Sequence, residues 1–104
     1  MENCTCTYAL EMQTPLGKRR GVLTLNLRGG SVGGELTLFT RSAPIQSGRR
    51  SGDNFTFQGE MKTLVGVLPY QANGTLHEDS LEMEIRTARG LYPVRGVRTE
   101  KRRD

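Results

Sequence analysis

Apolar and polar residues alternate along most of the chain, and this alternation predicts β-strands. The clearest example is Leu64–Arg98, where two reversals, His77–Ser80 and Ala88–Gly90, separate three alternating segments. Between the reversals, Leu81 and Met83 alternate with charged residues. A period of two residues, bounded by turn residues, is typical of half-buried antiparallel strands. The stretch therefore predicts the last three strands of a sheet.

The same pattern divides the rest of the chain. Earlier strands are predicted at Cys4–Gln13, Gly21–Leu27, Val32–Thr40 and Asn54–Lys62, and the last three are Leu64–Leu76, a sixth through Leu81, Met83 and Ile85, and a seventh through Tyr92 and Val94. Gly33 and Gly34 predict a bulge or a barrel corner, and Pro69 predicts an edge, a bulge or a bend. Arg41–Asp53 is polar and aperiodic, and it predicts a mobile loop.

Short strands joined in order by short turns predict an all-β fold. We expect an antiparallel up-and-down meander that forms a small closed or partly open barrel of six to eight strands. Residues 1–104 form one domain in this interpretation, with a charged tail at 99–104. A seven-stranded meander leaves its last strand parallel to its first, so either a strand is miscounted near Pro69 or in 41–53, or the sheet keeps an open edge. Open edges pair with other chains, and this predicts a possible homodimer.

Composition supports a folded chain and limits its chemistry. The apolar fraction of 35% is low, and 13 glycines bring it close to the globular range. Cys4 and Cys6 are too close in sequence for a relaxed disulfide, and the single histidine, His77, is far from them. No metal site and no cofactor are predicted. With no export signal and no apolar run near the ~20 residues of a membrane span, we expect a cytoplasmic protein without a membrane partner.

The net charge of +4 is unevenly distributed along the chain. Basic residues dominate the segments 18–50 and 86–104, and acidic residues dominate the segment between them. In a seven-stranded meander, alternate turns share one end of the barrel. That end collects Lys18–Arg20, Arg49–Arg50 and Lys101–Arg103, so the sequence predicts one basic rim.

The chain resembles the calycin-like barrels, the group of streptavidin-like and lipocalin-like small meander domains. The resemblance is carried by the turn Thr14–Gly17 after the first strand, a Gly-Gly hairpin ending in Gly34–Leu36, and the closing Gly96–Arg98. It implies that the rim holding the first turn is the open mouth of the barrel. The chain departs from both groups because it has no tryptophan, which argues against biotin binding.

A binding function follows from the basic rim and the resemblance. We expect a small anionic or amphipathic ligand at the mouth, with Arg49 and Arg50 at the rim and with Tyr8, Phe57, Tyr70 and Tyr92 inside. The alternative for the aromatic residues is a filled core, since side chains often fill a barrel of this size. The alternative for the arginines is simple solvation. The alternative function is a structural or protein-interaction module that self-associates through an open sheet edge.

Other functions have weaker support in the sequence. Nucleic acid is an unlikely partner, because the acidic middle of the chain dilutes any basic footprint. No catalytic residue is predicted. His77 lies in a turn expected to be exposed, and Glu82 and Glu84 face solvent on the sixth strand instead of flanking a substrate. The sequence therefore favours a protein that is not an enzyme.

Overall fold

The computed structural model describes residues 3–15, 17–38, 41–63 and 66–99. The predicted strand ends at Thr40 and Leu64, the turn residue Leu16, the side chain of Cys4 and the tail after Thr99 lie outside the described residues.

Nine antiparallel strands make up the described part of the chain, which contains no helix. They are β1 Asn3–Thr14, β2 Gly17–Arg28, β3 Ser31–Leu38, β4 Arg41–Pro44, β5 Gln46–Ser51, β6 Asn54–Thr63, β7 Gly66–Leu76, β8 Ser80–Thr87 and β9 Gly90–Arg98. Each ladder of the sheet is antiparallel. The prediction of an all-β antiparallel fold is confirmed.

The sheet closes into a barrel. β1 pairs with β2 on one side and with β9 on the other, where Tyr8–Met12 lie opposite Arg98–Val94. The ring then runs from β2 through β3, β5, β6, β7 and β8 back to β9. Eight strands form this ring and β4 is an extra strand on β3. Of the two predicted forms, closed or partly open, the structure has the closed one.

The predicted loop at Arg41–Asp53 is wrong, because most of this segment is sheet. β4 pairs with the second half of β3, and β5 pairs with the start of β3 and with β6. The two strands follow one another along β3 with a register shift between Gln46 and Arg49. With β5 in the ring the strand number is eight, which is even, whereas the sequence predicted seven strands. The ring therefore closes without an open edge between β1 and β9.

Gly34 lies where β3 changes partner from β5 to β4. Its φ is +129°, a conformation that favours glycine, and a Cβ atom there would collide with the carbonyl oxygen of Thr24 on β2. Its own carbonyl accepts a 3.0 Å hydrogen bond from the Ile45 backbone N–H. The predicted bulge is absent against β2, because the β2–β3 register runs through Gly33 and Gly34 without a shift. We call the point at Gly34 where β3 changes partner the corner.

The barrel has two ends, which we name by the turns they carry. The β1–β2 end holds the connections from β1 to β2, from β6 to β7 and from β8 to β9. The β2–β3 end holds those from β2 to β3, from β5 to β6 and from β7 to β8. At the β1–β2 end the β6–β7 hairpin extends beyond β8, because β8 pairs with β7 only from Tyr70 onward. Pro69, which has no backbone N–H, pairs with Glu60 of β6 and has no partner on β8. This position is a local sheet edge, where a proline is tolerated.

The interior is a single apolar core. Every side chain that is buried in the described residues is apolar or aromatic. The rings of Phe55 and Phe57 stack with their centroids 6.0 Å apart, and Tyr70 meets Phe57 edge-on at 6.1 Å. Towards the β2–β3 end the interior is filled by the side chains of Leu27, Val32, Phe55, Leu76 and Leu81. Open space is therefore expected at the β1–β2 end.

Candidate functional site

A cavity of about 430 Å³ opens at the β1–β2 end of the barrel. Its lining is mainly apolar, with a few polar side chains near the strand ends. The lining residues are Met12, Thr14, Pro15, Arg19, Leu36, Leu38, Met61, Leu68, Tyr70, Ile85, Thr87, Arg89 and Tyr92. Small-molecule sites commonly combine an apolar surface with a few polar groups in a volume of about 300–1,000 Å³. The cavity has the size and the chemistry of such a site.

Arg19 reaches the cavity because it belongs to the inward face of β2. Along this strand Leu23 and Leu25 point inward, and Arg19 keeps the same parity at the end of the strand. It lies opposite Met12 of β1 and is half-buried. A guanidinium group stays charged at any ordinary pH and can donate two parallel hydrogen bonds to a carboxylate or phosphate. Arg19 therefore places a fixed positive charge beside an apolar surface.

Arg89 is the second charged residue of the lining and lies in the turn between β8 and β9. Its backbone N–H donates a 3.0 Å hydrogen bond to the hydroxyl of Thr87, which shapes the turn. Its side chain is exposed. Two arginines from separate hairpins therefore lie in the lining of the same cavity.

Tyr70 carries an unusual hydroxyl group. The oxygen is buried and has no hydrogen-bond partner among the described residues. A Cβ atom at Gly59 would lie 2.7 Å from this oxygen and 3.0 Å from the carbonyl oxygen of Pro44, so the hydroxyl sits between β4 and β6. Burial raises the pKa of Tyr70 from 10.0 to about 12. The phenol is therefore neutral near pH 7, and its ring contributes an apolar surface to the cavity.

The structure separates the six residues predicted for the site. Tyr70 and Tyr92 line the cavity. Tyr8 and Phe57 are buried in the core and do not line it. Arg49 and Arg50 lie near the opposite end, where the Arg50 backbone N–H donates to the Gly30 carbonyl of the β2–β3 turn and the Arg50 Nε donates to Gly52. Two of the four predicted aromatic residues therefore lie at the cavity.

The prediction of one basic rim with Lys18–Arg20 and Arg49–Arg50 together is wrong. The extra strands β4 and β5 reverse the chain once more than a seven-stranded meander does, and so they move Arg49 and Arg50 to the β2–β3 end. The predicted contribution of Lys101–Arg103 lies outside the described residues. The cavity lining contains Arg19, which belongs to the predicted rim segment Lys18–Arg20 but is not among the six predicted ligand-binding residues, and Arg89, which is in neither set. Extending the alternation of Leu23 and Leu25 backward along β2 would have found Arg19.

Two further properties bear on chemistry. Within the described ranges, no group of three or more histidine, cysteine, aspartate or glutamate side chains is placed to hold a metal ion. No helix in the same ranges is long and apolar enough to cross a membrane.

Comparison with known proteins gives a fold likeness and no family. No protein-family model and no curated protein sequence matches the chain. Among solved structures, the chain is similar to a de novo designed fluorescence-activating β-barrel, with a TM-score of 0.55 and 17% sequence identity. The match covers 89% of this chain and 91% of the designed one. At this identity the likeness shows the fold alone, and the class that it defines is the small closed antiparallel β-barrel.

Tyr70→Phe is expected to stabilise the protein at pH 7 by about 1 kcal/mol. A buried hydroxyl without a partner costs about 1–3 kcal/mol, and phenylalanine removes it while keeping the ring. Because burial raises the folded pKa from 10.0 to about 12, the unfolded phenol ionises first, and the wild type loses stability as the pH rises from about 10 through about 12. Between about pH 10 and pH 12, the Tyr70→Phe protein should therefore lose less stability than the wild type.

Urea unfolding followed by circular dichroism at pH 7, 9.5 and 11 measures both effects. Tyr92→Phe, which removes a half-buried hydroxyl from the same cavity, is the control. A Tyr70→Phe protein that is less stable than the wild type at pH 7 would show that the hydroxyl has a partner.

Proposed function

We propose that this protein binds a small anionic or amphipathic ligand in the cavity at its β1–β2 end. The observation that carries the proposal is an apolar cavity of about 430 Å³ that has the guanidinium groups of Arg19 and Arg89 in its lining. These two arginines replace Arg49 and Arg50 in the role that the sequence suggested. The protein acts in this proposal as a binding protein without enzymatic activity, and it is a calycin-like domain in the sense of the sequence resemblance.

The geometry gives the two parts of such a ligand different partners. The apolar part lies against Leu36, Leu38 and Ile85, where each Å² of apolar surface removed from water contributes about 25 cal/mol. The anionic group stays near the opening, between Arg19 and Arg89. Since these side chains are half-buried and exposed, solvent weakens their attraction, and they contribute more to selectivity than to affinity. A ligand with charge at one end and an apolar body fits this arrangement best.

Binding of 8-anilinonaphthalene-1-sulfonate, an anionic aromatic probe, tests the proposal. We expect saturable binding of one probe per chain with a blue-shifted emission. The double variant Arg19→Gln/Arg89→Gln should bind about tenfold more weakly, as expected for two solvent-screened charged contacts of about 0.7 kcal/mol each. Fluorescence titration at 0.1 M salt measures both affinities.

The matched control is Arg49→Gln/Arg50→Gln, which removes the same charge at the opposite end of the barrel. It should bind the probe as the wild type does. Equal weakening in both double variants would mean that only net charge matters, and this would contradict a site at the β1–β2 end. Native mass spectrometry of gently purified protein gives an independent measurement, since a bound ligand adds mass that leaves on denaturation.

Self-association through a sheet edge is the alternative function. The ring closure removes the open edge between β1 and β9 on which this prediction was based. The remaining support is β4, which in the described residues pairs with β3 and has no ladder with β6. The other side of β4 faces β6 of the same chain, so a second copy would have to separate β4 from β6 to pair there. Sedimentation velocity measures the oligomeric state, and the fluorescence titration measures probe binding. A dimer that does not bind the probe would favour self-association over ligand binding.

A further inference from the structure

The two ends of the barrel differ in charge. At the β1–β2 end, the described residues 13–15, 17–19, 36–38, 41–43, 61–63, 66–68 and 86–91 contain several basic residues and no acidic one. The exposed basic side chains in this set are Lys18, Lys62, Arg86 and Arg89. The β2–β3 end is mixed, because Arg28, Arg49 and Arg50 there are accompanied by the acidic residues Asp53, Glu78 and Asp79. Among the described residues, the β1–β2 end is therefore basic without acidic neighbours, and the β2–β3 end carries both signs of charge.

Two of the four exposed large apolar side chains of the described residues lie at the same end. The exposed large apolar residues of the described chain are Val22, Val67, Leu91 and Val97. Val67 is 53% exposed and lies opposite Lys62 in the β6–β7 hairpin. Leu91 is 48% exposed and lies opposite Arg86 in the β8–β9 hairpin. Each of these two hairpins thus presents a basic and an apolar side chain side by side.

We propose that the β1–β2 end docks on an anionic lipid surface. The basic side chains of the two hairpins and of β2 lie near the lipid phosphates, and Val67 and Leu91 enter the interfacial layer. Basic clusters bind anionic leaflets by electrostatic attraction within a Debye length, and exposed apolar side chains add contact with the acyl region. Such docking needs no membrane span, so the absence of a spanning stretch in the sequence does not oppose it. The inference does not depend on whether the cavity holds a ligand.

Charge and apolarity together favour lipid over nucleic acid. A nucleic-acid interface of this kind would rely on phosphate contacts and on stacking by aromatic side chains. The residues between the basic ones at this end are Val67 and Leu91 instead, which cannot stack on bases. Further along the strands, Glu11, Glu35 and Glu60 would also repel a nucleic acid that extended along the outside of the barrel. A surface that touches only the end of the barrel avoids them.

Cosedimentation with lipid vesicles tests the inference. Vesicles of phosphatidylcholine with 30% phosphatidylserine are compared with phosphatidylcholine alone, at 0.1 and 0.5 M NaCl. We expect binding to the anionic vesicles only, and loss of binding at high salt, where the Debye length shortens. Lys18→Gln/Lys62→Gln should weaken binding about 25-fold, since each basic residue near such a surface contributes roughly a factor of five. Val67→Ser/Leu91→Ser should weaken it severalfold.

Two control variants match these changes elsewhere on the barrel. Arg28→Gln/Arg49→Gln removes the same charge near the β2–β3 end, and Val22→Ser/Val97→Ser removes the same kind of apolar side chain from the outer surface away from the β1–β2 end. Both should bind vesicles as the wild type does. Equal effects of target and control variants, no binding to anionic vesicles at 0.1 M salt, or tighter binding to a single-stranded RNA of 20 nucleotides would each overturn the inference. Circular dichroism confirms that every variant is folded.

Discussion

Phe57→Ala is expected to lower the free energy of unfolding by about 3–5 kcal/mol, the usual range for removing a buried aromatic ring. Phe57 is 1% exposed, and its ring contacts both Phe55 and Tyr70. Alanine would leave a cavity in the filled half of the barrel, where rigid strands on all sides prevent collapse. Since the total stability of small domains is about 5–15 kcal/mol, this single change removes a large part of it. Urea unfolding followed by circular dichroism measures the loss.

Thr56→Ala is the matched control for this change. Thr56 precedes Phe57 on β6 and faces solvent, so its substitution should alter stability by less than about 0.5 kcal/mol. The pair also tests the assignment of Phe57 to the core instead of the ligand site. If the Phe57→Ala protein kept wild-type stability and no longer bound the fluorescent probe, Phe57 would be a ligand-binding residue and not a core residue.

The strands predicted correctly are those in which inward positions hold large apolar residues. Along β8, Leu81, Met83 and Ile85 are all buried and the charged residues between them are exposed. Along β6, Phe55 and Phe57 show the same alternation. In these strands, burial of one face decides both the structure and its register, so a single sequence is enough to recognise them.

The strands β4 and β5 were missed because their inward positions do not carry large apolar side chains. Ala43 is buried on β4, and on β5 the half-buried residues are Gly48 and Arg50. A Cβ atom at Gly48 would collide with the backbone of Val32, so the close approach of the two strands itself requires glycine. Ser47 has a φ of 51°, which marks the register shift in β5. Polar, glycine-containing strands of this kind are held by their neighbours, and local alternation does not reveal them.

The error at the site follows from the error in strand count. In a meander, each additional strand moves all later turns to the other end of the barrel. The assignment of Arg49 and Arg50 to the same end as Lys18 therefore depended on the segment that was least predictable. Arg19 depends only on local parity along β2 and could be placed without counting strands, whereas Arg89 lies in a later turn that the extra strands move to the β1–β2 end. A charge next to an alternating run is thus a more reliable site signal than a grouping that depends on topology.

Aromatic residues with similar alternating sequence surroundings lie in different parts of the barrel, some in the filled half and some in the open half. Phe55 and Phe57 lie towards the β2–β3 end and stack on each other. Tyr70 and Tyr92 lie towards the β1–β2 end and line the cavity. Sequence alternation places all four side chains inside the barrel, and it contains no information about depth. Depth comes from register across β6–β9, which only the assembled sheet defines.

Gly34→Ala is expected to destabilise the protein by about 2–6 kcal/mol, the sum of about 1–3 kcal/mol for backbone strain and about 1–3 kcal/mol for overpacking. The φ of +129° is unfavourable for alanine, and the new Cβ atom would collide with the carbonyl oxygen of Thr24. Relief requires β2 and β3 to separate at the corner where β3 changes partner. Since Leu36 and Leu38 of β3 line the cavity, probe binding should weaken as well.

Gly33→Ala is a control for this change, because the two glycines are adjacent on β3 and differ in surroundings. An added Cβ atom at Gly33 meets nothing within 4 Å, and its φ is not positive. We therefore expect Gly33→Ala to change the unfolding free energy by less than about 1 kcal/mol, in either direction. Thermal and urea unfolding of both variants measure the difference. An equal loss of unfolding free energy in Gly34→Ala and Gly33→Ala would contradict the special role of Gly34 where β3 changes partner. Another residue would then have to explain how β4 and β5 both pair with β3.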